Sequence, residues 1–159
     1  MIAATRGHAL SRGEGTALWT LGALFTVKAS SAQTGGAFSL LEFEQPGGTE
    51  PPPHIHANED ESFFVLDGEM AVMCGDDRFT ATAGSFVFLP RGIVHGFTIL
   101  GDTPLRGLVL TLPGGFDQFV MEMGEPALSR TIPVGGPPDM ARLMALTAKY
   151  GIELQIPGA

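Results

Sequence analysis

The sequence predicts an all-β domain, an antiparallel jelly-roll barrel with an N-terminal strand arm and short helices at its C-terminal end. Three observations predict it. Short apolar, aromatic and β-branched runs recur along most of the 159 residues, turn dipeptides separate them, and helical periodicity is confined to two late segments. The 22 glycines and 12 prolines carry no three-residue period, so they read as tight turns rather than a fibrous repeat.

In chain order, Ala17 to Lys28 and Ala37 to Glu44 read as strands, the second because Leu41 and Phe43 alternate with Glu42 and Glu44. Gln45 to Pro53 holds Pro-Gly-Gly and three consecutive prolines, which cannot donate ladder hydrogen bonds and so mark a loop. Strands resume at Glu61–Leu66, Met70–Cys74, Arg78–Ala81, Phe86–Leu89, Val94–Leu100 and Leu105–Leu112, separated by Asp67-Gly68, Gly75-Asp76-Asp77, Ala83-Gly84, Pro90-Arg91-Gly92 and Gly101-Asp102. Phe116, Phe119, Val120 and Met123, closed by Gly124, then fall at helical spacing, as do Met140, Leu143, Met144 and Thr147 before Gly151. One domain over residues 1–159 follows, with a barrel core at about 35–112 and a helical extension at 113–159.

Composition excludes several roles. The net charge is −8 with only nine Lys and Arg, which argues against a nucleic-acid partner. Charged residues interrupt the N-terminal segment and the run Ala17 to Val27 is too short to span a bilayer, so neither a membrane partner nor a secretory signal is expected, and a cytoplasmic location is. The single cysteine, Cys74, has no partner for an intrachain disulfide. No Lys or Arg lies between Lys28 and Arg78, yet ten of the 17 acids do, a repulsion that something cationic would relieve.

Chemistry concentrates at the histidines. His54 and His56, at i and i+2 on a strand, point to one face and can reach one point in space. Gly48 precedes them by five intervening residues, Glu61 follows after four and Gly68 after six more. Downstream, Gly84 is followed after five residues by Pro90-x-Gly92 and after two more by His95.

These two patterns, in this order, resemble the two motifs of the cupin superfamily. The resemblance implies that His54, His56, Glu61 and His95 ligate one divalent metal ion inside a small β-barrel. Three imidazoles and a carboxylate suit Fe, Mn, Co, Ni, Cu or Zn, whereas Ca or Mg would want more oxygen ligands. Ile99 stands where many cupins have Asn, which implies a more apolar cavity wall.

Further stretches, among them Thr34–Phe38, Glu59-Asp60-Glu61, Val65–Glu69, Pro113–Phe119 and Tyr150–Glu153, are similar to small single-domain bacterial proteins of quercetin 2,3-dioxygenase type. In that group a flavonol held at the metal is cleaved by O₂ with release of carbon monoxide. The resemblance therefore implies a metal-dependent dioxygenase acting on a small hydrophobic, aromatic or enolic substrate, with Glu61 as both ligand and general base, and apolar surroundings are expected to raise its basicity. A non-oxidative isomerase, cyclase or hydrolase and a non-enzymatic small-molecule-binding module remain the alternatives.

Strand alternation from Glu61 and His95 places Phe63, Val65, Phe97 and Ile99 on the inner face, as candidate substrate-pocket residues or barrel core. The helix Phe116 to Met123 is a candidate lid. A homodimer is expected from the resemblance, with the Ala17 to Lys28 segment able to add to a neighbour's sheet edge.

Overall fold

The computed structural model describes residues 6–156; the outermost residues of the expected domain lie outside them. The chain forms two antiparallel sheets facing each other as a jelly roll, not one continuously bonded barrel. The larger orders seven strands as β11-β1-β2-β3-β10-β5-β8 and the smaller five as β12-β4-β9-β6-β7, where β1 is Thr16–Thr20, β2 Ala23–Ala29, β3 Ser39–Gln45, β4 His54–His56, β5 Asp60–Asp67, β6 Glu69–Cys74, β7 Asp77–Thr82, β8 Phe86–Leu89, β9 His95–Leu100, β10 Leu105–Leu112, β11 Glu125–Pro126 and β12 Ile152–Leu154. Helices α1, Phe116–Met123, and α2, Met140–Tyr150, follow the two helical periods. Among the described residues no helix is long and apolar enough to cross a membrane.

The expected single strand from Ala17 to Lys28 is a hairpin. Thr16 to Thr20 pairs with Ala23 to Val27 around Leu21-Gly22, both at positive φ (51° and 79°), the backbone that a two-residue turn of matching twist requires. A leucine at such a position is uncommon, which hid the turn in an apolar run. This segment pairs within its own chain, with β2 on β3 and β1 on β11.

The stretch after Pro113 is more than helical. Its strands β11 and β12 close one edge of each sheet, β12 against β4 and β11 against β1. Asp139 caps α2 by accepting from the Arg142 N–H at 3.0 Å, and Gly151 ends it in the left-handed conformation at φ 68°. Glu122 on α1 accepts from Lys149 Nζ (2.7 Å) and the Tyr150 hydroxyl (2.6 Å), fastening the helices together.

Leu41, Met70, Leu105, Val65 and Val109 fill the space between the sheets with at most 1% exposure. Gly107 on β10 is required by packing: a Cβ there would lie 2.9 Å from the Phe64 carbonyl oxygen and 3.1 Å from the Phe43 ring. Gly107→Ala is expected to displace Phe43 and lower stability by about 1–3 kcal/mol, the usual cost of overpacking. Denaturant unfolding checks this; an unchanged midpoint would contradict it.

Candidate metal centre

Pairing among short strands of the five-stranded sheet builds the centre. His54 on β4 sits directly opposite His95 on β9, and β12 pairs along the other edge of β4, with Ile152 opposite His56. The Gly92 N–H donates to the His56 carbonyl at 2.9 Å, tying the second histidine segment to the first. The single β4–β9 pair is therefore reinforced on both sides.

The four residues expected as ligands come together. His54, His56, Glu61 and His95 are all buried, and one donor atom from each lies within 4.8 Å of the others. Every imidazole is fixed through Nδ1: that of His54 lies 2.9 Å from the Pro52 carbonyl oxygen, that of His56 2.8 Å from Glu59 Oε1, and that of His95 3.0 Å from the Ile93 carbonyl oxygen. Because these partners are acceptors, Nδ1 carries the proton and each Nε2 lone pair is left for another group. His95 Nε2 is 3.2 Å from Glu61 Oε2 but makes no well-directed hydrogen bond, and it is fully buried. A buried, unpartnered nitrogen aimed among two imidazoles and a carboxylate fits a borderline divalent transition ion.

The three consecutive acids Glu59, Asp60 and Glu61 do three different things. Glu61 faces the histidines. Asp60 accepts from the Arg91 backbone N–H and guanidinium at 2.9–3.1 Å, clamping the loop before His95 to the start of β5 and holding the Asp60 carboxyl below its ordinary range. Glu59, 4% exposed, holds His56. The sequence reading gave Glu59 no role of its own; its position three residues after His56, beside a ligand, was the available signal.

Burial pushes the Glu61 carboxyl up, but His56, the His95 contact and His54 pull it down further, to about 2. The expectation that apolar surroundings raise its basicity is reversed, because three imidazoles outweigh the missing water. Burial holds the His54 imidazole below its ordinary value against the opposing pull of Glu61 and the Pro52 carbonyl. Burial lowers His56 too, yet Glu61 and the hydrogen bond to Glu59 leave it above 6.5.

A cavity of about 890 Å³ opens onto the cluster, with His54, His56 and Glu61 at its surface and His95, 1% exposed, behind them. Phe63 and Phe97 line it as the alternation implied, meeting edge-to-face at 5.7 Å. Val65 and Ile99 do not line it: each lies two residues further along its strand, beyond that ring pair, packed in the core. The remaining aromatic wall comes from Trp19, Phe25, Phe43, Phe116 and Phe119. Phe25 and Phe43 are cross-strand partners on β2 and β3, so extending the alternation rule to those strands would have found them.

Helix α1 is a wall rather than a lid. Phe119 and Val120 are 4% and 0% exposed in the core, while Phe116 packs edge-on against His56 at 6.0 Å. The segment 133–138 lies along the mouth instead.

The family described as Cupin domain matches residues 41–111. Over 120 residues the chain is 28% identical to quercetin 2,3-dioxygenase of Bacillus subtilis, covering 75% of this chain and 35% of that one. It is 35% identical over 66 residues to an uncharacterised protein of Streptomyces coelicolor, covering 42% of this chain and 61% of that one. The chain thus spans less than two thirds of these curated relatives. Among solved structures, an RmlC-like cupin from Shewanella frigidimarina superposes with TM-score 0.58 at 20% identity over 72% of this chain and 99% of that one. KdgF from Halomonas gives 0.53 at 18% identity over 61% and 85%. At these identities the structural likeness concerns the fold alone.

Two predictions follow from the pinned imidazoles. Glu59→Ala leaves all four donors in place and is expected to weaken divalent-ion affinity about 10–100-fold, measured by competition with a chromophoric chelator; unchanged affinity would remove Glu59 from the centre. An ion must expel the His56 proton, held above 6.5, so in the wild type affinity should begin to fall while pH is still above 6.5, approaching about tenfold per unit below it. Affinity flat down to pH 5 would contradict this.

The motif spacing agrees with the match of residues 41–111 to the Cupin domain family, and the jelly roll is the fold of the solved cupin it superposes on.

Proposed function

We propose that this protein is a metal-dependent dioxygenase that cleaves a small planar aromatic or enolic compound of flavonol type. The observation that carries the reading is the convergence of three imidazoles and one carboxylate at the inner end of an aromatic-walled cavity of about 890 Å³. The volume lies within the range of sites for drug-sized ligands. The 28% identity to a quercetin 2,3-dioxygenase supports the choice of reaction class.

His54, His56, Glu61 and His95 would hold the ion. A bound divalent transition ion would acidify a coordinating enol or phenol and provide the redox partner that O₂ chemistry needs. The chain's own residues do the rest. Phe63, Phe97, Phe43 and Phe116 present ring faces and edges that orient a planar substrate and keep water from it. Glu61 arrives ionised, so it accepts the proton of the substrate hydroxyl at a carboxylate oxygen; being a weak base, it does so from a hydroxyl already acidified. Both oxygen atoms enter the products, one carbon leaves as carbon monoxide, and no external reductant is consumed.

Metal-loaded protein mixed with a flavonol is expected to take up O₂ and release carbon monoxide in equal amounts, and Glu61→Ala is expected to lower the rate at least about a hundredfold, the scale of losing a positioned base. Product formation of equal rate without O₂ would overturn the dioxygenase reading.

A further inference from the structure

Strand β3 carries polar residues in a row that its pattern makes apolar. The inward row is Ser39, Leu41, Phe43 and Gln45, all buried. Ser39 is satisfied by the Thr111 hydroxyl at 2.7 Å, whereas Gln45, 6% exposed, stands at the wall of the cavity. Its amide is held from one side only. Nε2 donates to the Thr49 carbonyl at 2.8 Å and to the Thr49 hydroxyl at 3.2 Å, and that hydroxyl gives its own proton to the Pro46 carbonyl at 2.9 Å. A carbonyl oxygen only accepts, so the orientation of the amide is fixed: its N–H groups are spent on the loop after β3 and Oε1 faces away from that loop. Among the described residues nothing donates to Oε1.

The other polar side chains of the wall, outside the His and Glu centre, are committed elsewhere. The Trp19 indole donates to the Thr131 carbonyl (2.8 Å), the Thr20 hydroxyl to that of Val120 (3.2 Å) and the Thr147 hydroxyl to that of Leu143 (2.9 Å). Glu50 accepts from the N–H groups of Gly48 and Ile99, both at 2.7 Å. Glu125, Asp139 and Arg142 are exposed to solvent. The buried wall therefore presents aromatic and aliphatic surface with one uncommitted acceptor. A buried acceptor without a partner is costly, so a ligand that brings a donor to it gains more than from a hydrogen bond merely exchanged with water.

Strand register separates this acceptor from the centre. Gln45 lies opposite Leu105 and Glu61 opposite Thr111, six positions apart on β10, which is about 20 Å at a rise of about 3.3 Å per residue. Both side chains reach over part of that length. A ligand touching both ends is then two or three linked rings long, not a single ring.

We propose that Gln45 Oε1 is a specificity-determining acceptor that selects planar substrates carrying a hydroxyl donor on the ring remote from the enol at the metal centre. The inference rests on the flavonol-type reading above and narrows it to compounds with that second polar group.

The single tryptophan, Trp19, lines the cavity, so quenching of its fluorescence reports binding without turnover. Zinc-loaded protein is titrated in the absence of O₂ with 3-hydroxyflavone, its 7-hydroxy and 4′-hydroxy derivatives, and the methyl ethers of those remote hydroxyls. One of the two dihydroxy compounds is expected to bind about tenfold more tightly than 3-hydroxyflavone, and its methyl ether, which cannot donate, to lose that gain. In Gln45→Met, which keeps the length of the side chain and removes the acceptor, the dihydroxy compound and the parent are expected to bind alike. Equal affinity for parent and dihydroxy compounds in the wild type, a methyl ether that binds as tightly as the hydroxyl, or a preference that survives in Gln45→Met would each overturn the proposal. The first two comparisons use the wild type alone, so they decide even if the variant misfolds. Binding of none of these compounds would refute the flavonol reading together with this one, whereas binding without preference refutes this one alone.

Discussion

Three buried imidazoles with ring centroids 4.8, 5.1 and 5.4 Å apart cannot all be charged at once without severe repulsion, and the fold answers this by fixing where their protons sit. Each Nδ1 is given an acceptor that the main chain or a buried carboxylate supplies, and each Nε2 is left bare toward the same point. Glu61 adds a negative charge at that point. Much of the surrounding architecture serves this arrangement: β12 braces β4, Gly92 binds the His56 carbonyl, and Arg91 bolts the second motif's loop to Asp60.

The same placement links the centre to its cavity. Glu61 starts the inner face of β5, so Phe63 follows it at the cavity floor; Phe97 stands two residues from His95 and meets it there. Beyond that aromatic pair the interior is ordinary core. The boundary between site and core is thus one ring deep. Helix α1 presses Phe116 onto His56 from the far wall, making the C-terminal region part of the site's frame.

Legibility in the sequence followed the length and regularity of each element. Strand β10 and helix α1 have the residues their patterns implied, because eight residues of period two or 3.6 leave little ambiguity. The hairpin at Leu21-Gly22 was hidden by an apolar residue occupying a turn position, and β11 and β12 are too short, at two and three residues, for any period to show. The grouping of His54, His56, Glu61 and His95 was legible through the family resemblance that their motif spacing carries, not through the histidines taken alone. What spacing could not convey is the balance of opposing terms. Burial of Glu61 was foreseeable, but that three imidazoles would outweigh it depends on distances set by three separate strands. The same holds for Val65 and Ile99, whose inward direction was legible and whose depth was not.

The central claim is that the histidines and Glu61 form one ligand set through Nε2 and a carboxylate oxygen. X-ray absorption fine structure on the cobalt- or zinc-loaded protein tests it most directly. The account predicts three imidazole nitrogens at about 2.0–2.2 Å, with their multiple-scattering signature, and at least one oxygen at similar distance. A shell of oxygen alone, or one with fewer than three imidazoles, would contradict it.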